Sequence, residues 1–324
     1  MATLTNLGQL TMLELVNRMD PKGNAAKIAE VLTKFNPILE DIPWFQANKG
    51  DVNEITRRAY LPSPSVRRLN KGVSTSSSKT LKVVEGSIVL EARSRIDQLW
   101  LDRMKDKAAA RMSESSAFLE GIAQDFARRM FYDTVPDSDE GIEGLATRMG
   151  ATDSKRVLSN GGSSNLTSIY LVQWGEQRAY CHYPENTSEV GIQHEDLGLQ
   201  VVQDDDGLDY DAYLDRFRLS FGLTVKDDRC IGRLANIDIS AVSGGTGYFN
   251  WEQLVKIKNN MQVHNGAGVV YVNQDMMSVM EINVANKSNV HLSMSEAWGE
   301  PVLTFRGWPV RMCESISSAE TAIS

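Results

Sequence analysis

Cysteine is scarce in this 324-residue chain: Cys181, Cys230 and Cys313 stand far apart and odd in number. Such spacing offers neither a disulfide framework nor a zinc knuckle and points to buried, reduced thiols. Long apolar runs are missing too. Nothing approaches the ~18 residues of a membrane span, and Met1 to Asn24 lacks the basic-then-apolar layout of a secretory signal. The chain is therefore expected to stay in the cytoplasm where it is translated, and the Asn-x-Ser/Thr triplets at Asn165, Asn186 and Asn286 carry no glycan meaning.

The motifs of chemistry are missing as well. A phosphate cradle needs backbone amides converging from a glycine loop, with a lysine or helix behind them. The nearest approach, Ser243-Gly244-Gly245-Thr246-Gly247, has no lysine after it and reads as a connecting loop. No Gly-x-Ser-x-Gly elbow occurs, and the four histidines (His182, His194, His264, His291) show no metal or triad spacing. His194-Glu195-Asp196 is the one cluster of histidine with acids, but consecutive side chains point in different directions. The Asp204 to Asp211 run places its glycine wrongly for a calcium loop. No catalytic, cofactor-binding or metal-ligating residue is assigned, and the chain is not expected to be an enzyme.

What is present is charge, unevenly spread. The net charge is -8. Lys49 to Arg95 nevertheless carries ten bases against four acids, a local charge of +6. Glu185 to Asp215 carries ten acids and no lysine or arginine. One chain thus holds two fields of opposite sign.

The length suggests about two domains. Helices are expected at Met12 to Arg18 and Ala25 to Phe35, broken by Asp20-Pro21-Lys22-Gly23, and an extended stretch at Ile38 to Phe45. Lys49 to Arg95 reads as a long hairpin, with arms at Val52 to Tyr60 and Thr80 to Ala92 and a loose tip around Pro62, Pro64, Gly72 and Ser76 to Ser78. Fully extended it would reach ~75 Å. Composition alone also allows a surface loop or an inter-domain linker.

A long amphipathic helix is expected over Met104 to Phe131, with Ala108, Met112, Ser115 or Ser116, Leu119, Ile122 or Ala123, Phe126 and Met130 on one face. Strands follow at Ser168 to Trp174, Leu199 to Gln203, Tyr213 to Val225 and Ile231 to Ile237, with Asp205-Asp206-Gly207 as a turn. Phe249 to Met261 reads as a helix, Gly268 to Asn273 as a strand and Gln274 to Ala285 as a helix. A final strand pair spans Val302 to Met312 around Gly307-Trp308-Pro309. The mixture makes an α+β chain.

Several blocks resemble the major capsid proteins of short-tailed phages: Ser168-Ile-Tyr-Leu-Val-Gln-Trp-Gly-Glu, Gly191-Ile-Gln-His-Glu-Asp-Leu-Gly, Phe221-Gly-Leu-Thr-Val-Lys-Asp-Asp-Arg and Arg233-Leu-Ala-Asn-Ile-Asp. Asp20-Pro-Lys-Gly and Asn36-Pro-Ile-Leu-Glu-Asp-Ile-Pro-Trp are similar too, so the resemblance runs from about Leu10 to Ile316. It implies the Hong Kong 97-type capsid fold: an N-terminal arm (1–48), an extended loop (49–95) and a peripheral domain with a spine helix (96–136). An axial domain with returning peripheral strands (137–310) and a C-terminal tail (311–324) complete it. It also implies hexamers and pentamers of the chain on an icosahedral lattice, the shell of a virion assembled in the host cytoplasm. Such a shell encloses double-stranded DNA without sequence-specific recognition. A scaffolding protein, a portal and a decoration protein are the expected partners.

Within that frame Arg57, Arg58, Arg67, Arg68 and Lys71 are expected to touch a neighbouring copy. Its acidic surface would include Glu195, Asp196, Asp204, Asp205 and Asp206. Two other readings remain at this point. The basic hairpin could bind nucleic acid, although its tip offers only Tyr60 for stacking. A hydrolase site around His194 would need convergent polar groups that are not visible in sequence.

Overall fold

The computed structural model describes residues 36–135, 141–185, 191–243, 249–261, 267–285, 292–297 and 300–324. The helices expected at Met12 to Arg18 and Ala25 to Phe35 and the glycine-rich stretch 244–247 lie outside these residues. In chain order the helices are α1 (Ile38–Asp41), α2 (Gln98–Asp102), α3 (Lys107–Tyr132), α4 (Leu145–Arg148), α5 (Ile239–Ser243), α6 (Trp251–Asn260) and α7 (Gln274–Ala285). The strands are β1 (Trp44–Gln46), β2 (Val52–Tyr60), β3 (Lys79–Gly86), β4 (Ile88–Asp97), β5 (Val157–Ser159), β6 (Leu166–Val172) and β7 (Ala179–Tyr183). They continue with β8 (Gln193–Gln203), β9 (Asp209–Val225), β10 (Ile231–Asp238), β11 (Val269–Val272), β12 (Leu292–Ala297), β13 (Glu300–Phe305) and β14 (Trp308–Met312).

The chain divides into two compact units, and the described residues of the larger fall within 36–88, 127–185 and 221–324. Its centre is a seven-stranded sheet in the order β12-β13-β14-β11-β6-β10-β5. Every residue of β6 is buried, which is why its sequence is a continuous run rather than an alternation. Leu254 and Ile257 of α6, and Met276 and Met280 of α7, complete the core over Ile169, Leu171, Leu234 and Val270. Each of these helices starts on an asparagine cap: Asn250 accepts from the Gln253 amide at 3.2 Å and Asn273 from the Met276 amide at 2.9 Å.

The smaller unit comprises residues 89–126 and, among the described residues, 191–220. It contains the first five turns of α3, most of β4, and the hairpin of β8 with the first part of β9. The turn between β8 and β9 forms as expected at Asp205-Asp206-Gly207, with Gly207 at φ +78°.

Three expectations are corrected. Ile38 to Phe45 is not extended throughout: Pro37, at φ -72°, starts the helical turn α1, and burial of Ile38 and Ile42 holds it before β1 begins. The last hairpin turns one residue earlier than expected, on Arg306 (φ 49°) and Gly307 (φ 83°), because a two-residue loop needs positive φ at both centres. Trp308 is thereby buried and Pro309 pairs with Thr304 inside β14.

The third correction concerns α3, whose buried face is only partly the expected one. Ile122, Phe126 and Met130 are buried, but Ala108 is exposed, Met112 is 75% exposed and Leu119 is 37% exposed. In the smaller unit the helix is rotated by specific partners instead: Arg111 bridges Asp196 (2.8 Å) and Asp215 (2.7 Å), and the Phe118 ring stacks on Phe217 at 5.7 Å. The three cysteines form no disulfide and are buried, and burial pushes the Cys230 thiol up to about 11 and Cys313 up to about 12.

Candidate inter-subunit contact surface

The basic hairpin forms. β2 and β3 pair antiparallel from Val52↔Gly86 to Arg58↔Thr80, with an irregularity before Tyr60↔Lys79. The second arm is shorter than expected. The Ser87 amide and hydroxyl both donate to the Asp51 carbonyl (3.1 and 2.5 Å), closing the root and separating β3 from β4. Residues 61–78 between the arms have no regular strand or helix and are exposed throughout.

The root is pinned by buried polar contacts. Asn53 Nδ2 donates to the Tyr180 hydroxyl at 2.7 Å and to Thr224 Oγ1 at 3.0 Å, and Thr224 Oγ1 meets His182 Nδ1 at 2.7 Å. Glu85 receives both Arg148 guanidinium nitrogens, at 2.9 and 2.6 Å, with less than a tenth of either side chain exposed. Bidentate geometry makes this a directional as well as a charged contact. Gly222 is required beside it: a Cβ there would lie 2.4 Å from the Gly86 carbonyl and 2.3 Å from the His182 ring.

Beyond Ile55 the protection ends. Val66 and Leu69 are 94% and 93% exposed, and Tyr60, Leu61 and Leu81 are exposed as well. Arg58, Arg67, Arg68 and Lys71 lie among them, exposed and without an ion pair among the described residues. Arg57 differs from the other four. Its guanidinium donates to Asp228 at 2.9 Å and to the Val225 carbonyl, so it is occupied within its own chain.

The expected acidic surface also splits. Asp196 receives Arg111, whose hydrogen bond holds the carboxyl below its usual range, and Glu195 is bridged by Arg216. Asp204 is used by the turn, accepting the amides of Asp206 (3.0 Å) and Leu208 (2.8 Å). Asp205 and Asp206, with Asp209 and Asp211 which the sequence reading did not single out, are exposed and form no ion pair among the described residues.

His194 faces Asp215 at 3.0 Å and stacks on Phe217 at 4.8 Å; Asp196 joins the same cluster through Arg111, while Glu195 turns away to Arg216. The three consecutive residues therefore do not converge. Among the described residues no group of three His, Cys, Asp or Glu side chains could hold a metal ion, and no helix is long and apolar enough to cross a membrane.

No curated protein sequence matches the chain. Among solved structures, that of bacteriophage Epsilon15 is similar, with a TM-score of 0.76 and 29% identity over 100% of this chain and 99% of that one. The capsid of bacteriophage JBD30 is more distant, with a TM-score of 0.48 and 9% identity over 90% of this chain and 99% of that one. The α+β architecture is of the Hong Kong 97 capsid type. The model of the family "Major capsid protein GP7" matches residues 20–324, nearly the whole chain, and the chain belongs to that family of capsid shell proteins.

Proposed function

We propose that the chain builds, as hexamers and pentamers, the icosahedral shell around the double-stranded DNA genome of a tailed phage, and that the hairpin 49–95 is the extended loop by which one copy grips the next. The observation that carries this reading is the contrast along the hairpin. Its root is locked by Glu85–Arg148 and Asn53, yet its far half presents apolar side chains and unpaired bases to solvent. Exposed apolar residues interleaved with charge are the composition of a surface that is covered on association.

In the same reading residues 1–48 are the arm, 96–136 carry the spine helix, 137–310 are the axial domain with returning strands, and 311–324 are the tail. The shell forms in the host bacterial cytoplasm with a scaffolding protein, a portal and a decoration protein as partners. The subunit works by geometry rather than turnover. Deleting Pro62 to Ser78 tests the grip: we expect folded subunits that sediment as free protein or small rings, without closed shells in electron micrographs. Normal shells from the deletion would remove the extended loop from this role.

A further inference from the structure

Beside the outer half of β2, within the larger unit, lies an open groove of about 790 Å³. Five bases line it, Arg57, Arg58, Arg156, Lys226 and Arg229, against two acids, Asp227 and Asp228. Both acids are already engaged. Asp227 is held by Arg229 at 2.8 Å and Asp228 by Arg57 at 2.9 Å, while Arg156 donates to the Asp228 carbonyl. Lys226 lies over the Tyr180 ring, 5.2 Å from its centre, and Arg58 is exposed at the rim. Arg156 is itself paired with Asp153 at 3.5 Å, which leaves Arg58 and Lys226 as the groove's bases without an ion pair among the described residues, with Tyr60 and Leu61 as an apolar lip.

The described residues also hold a surface with the complementary chemistry. The turn between β8 and β9 presents Asp205, Asp206 and Asp209 without ion-pair partners among the described residues, and Leu208, 66% exposed, between them. Its backbone is preorganised by the Asp204 carboxylate and by Gly207, so little order remains to be imposed on binding. We propose that the groove beside the outer half of β2 receives the acidic turn Asp204–Asp209 of a second copy, its carboxylates on Arg58, Lys226 and Arg229 and Leu208 against Tyr60 and Leu61. The proposal rests on the shell reading above and names one of its contacts.

A peptide turn suits the groove better than a nucleic acid. A phosphate backbone would bring unbroken negative charge onto Asp227 and Asp228, whereas a turn also offers amide N–H groups to them. The lip supplies only one aromatic for base stacking. Because each copy carries both turn and groove, the contact is heterologous and propagates from copy to copy, as a ring requires.

The test is charge exchange in the full chain. We expect Arg58→Glu with Lys226→Glu, and separately Asp205→Lys with Asp206→Lys, each to lower the yield of sedimenting shells at least about tenfold, and the four changes together to restore most of it. Wild-type yield from both reversals, or no recovery in the combination, would overturn the pairing. Melting temperatures show whether any variant is unfolded. A second experiment covers that case: Arg58→Cys with Asp206→Cys, oxidised during assembly, should give a multimer ladder on non-reducing gels. A link confined to monomers, or none, overturns the contact between copies. Loss of binding to a DNA oligonucleotide in the groove reversal, with normal shells from the turn reversal, would assign the groove to nucleic acid instead. The shell reading fails separately, if the wild-type chain forms no shells.

Discussion

Glu85 and Arg148 face each other in the interior as a bidentate pair, with the half-exposed Glu143 3.5 Å from the same guanidinium. Glu85→Gln keeps the shape but leaves a guanidinium, less than a tenth exposed, facing a neutral amide. The cost should be about 3 kcal/mol, read as a lowered midpoint in urea unfolding. Glu54→Gln is the matched control: its partners Lys49 and Lys82 are solvent-exposed, so the midpoint should not move. His182 makes a second prediction. It is fully enclosed with no partner at Nε2 among the described residues, and burial pushes its imidazole down to about 4. The native state holds the neutral ring, so its stabilising contribution is complete above the unfolded value of ~6.5 and is lost as pH falls from there towards 4. Melting temperature should drop across that window by the equivalent of about 3 kcal/mol, and His182→Gln should flatten the drop.

At the scale of elements, the long helix shows what periodicity can and cannot do. Its existence and its end were legible in the sequence, since Ile122, Phe126 and Met130 recur at helical spacing before Asp133 and Pro136. Its rotation near Met112 was not, because Arg111 is drawn inward by Asp196 and Asp215, residues about a hundred positions away. A polar anchor thus overrides a weak apolar stripe. Phe118→Ala should therefore destabilise by about 2 kcal/mol through loss of the stack on Phe217, whereas Met112→Ser should leave thermal unfolding unchanged. The hairpin was legible for the opposite reason: β2 and β3 are close in sequence, and turn-forming residues separate them. The strand Ala179–Tyr183 was missed, and its five residues are short for any pattern. It is a strand because β1 and β9 pair with it, Trp44↔Cys181 on one edge and Cys181↔Leu223 on the other.

For the whole molecule, the proposed pairing of the two opposite fields of charge predicts that assembly depends on ionic strength. If the hairpin grips a neighbour as proposed, encounters steered by Arg58, Arg67, Arg68 and Lys71 towards carboxylates on another copy are screened once the Debye length falls well below ~10 Å. Raising salt from roughly 0.05 to 0.5 M should slow the light-scattering rise of assembly about tenfold, while the apolar residues of the hairpin keep completed shells intact. Equal rates at both salts would assign the steering to apolar contact alone.

The sequence by itself determined the class of the chain, its long helix, its hairpin and the sign of each charged segment, because those follow from local periodicity, turn residues and composition. It also carried the resemblance to capsid proteins that the family match bears out. Only the tertiary structure decided which of those charges remain available. Arg57, Glu195 and Asp196 found partners within their own chain, whereas Arg58, Asp205 and Asp206 have no ion pair among the described residues. An ion pair depends on two side chains meeting in space, and separations of 171 residues for Arg57–Asp228 leave no trace in local pattern.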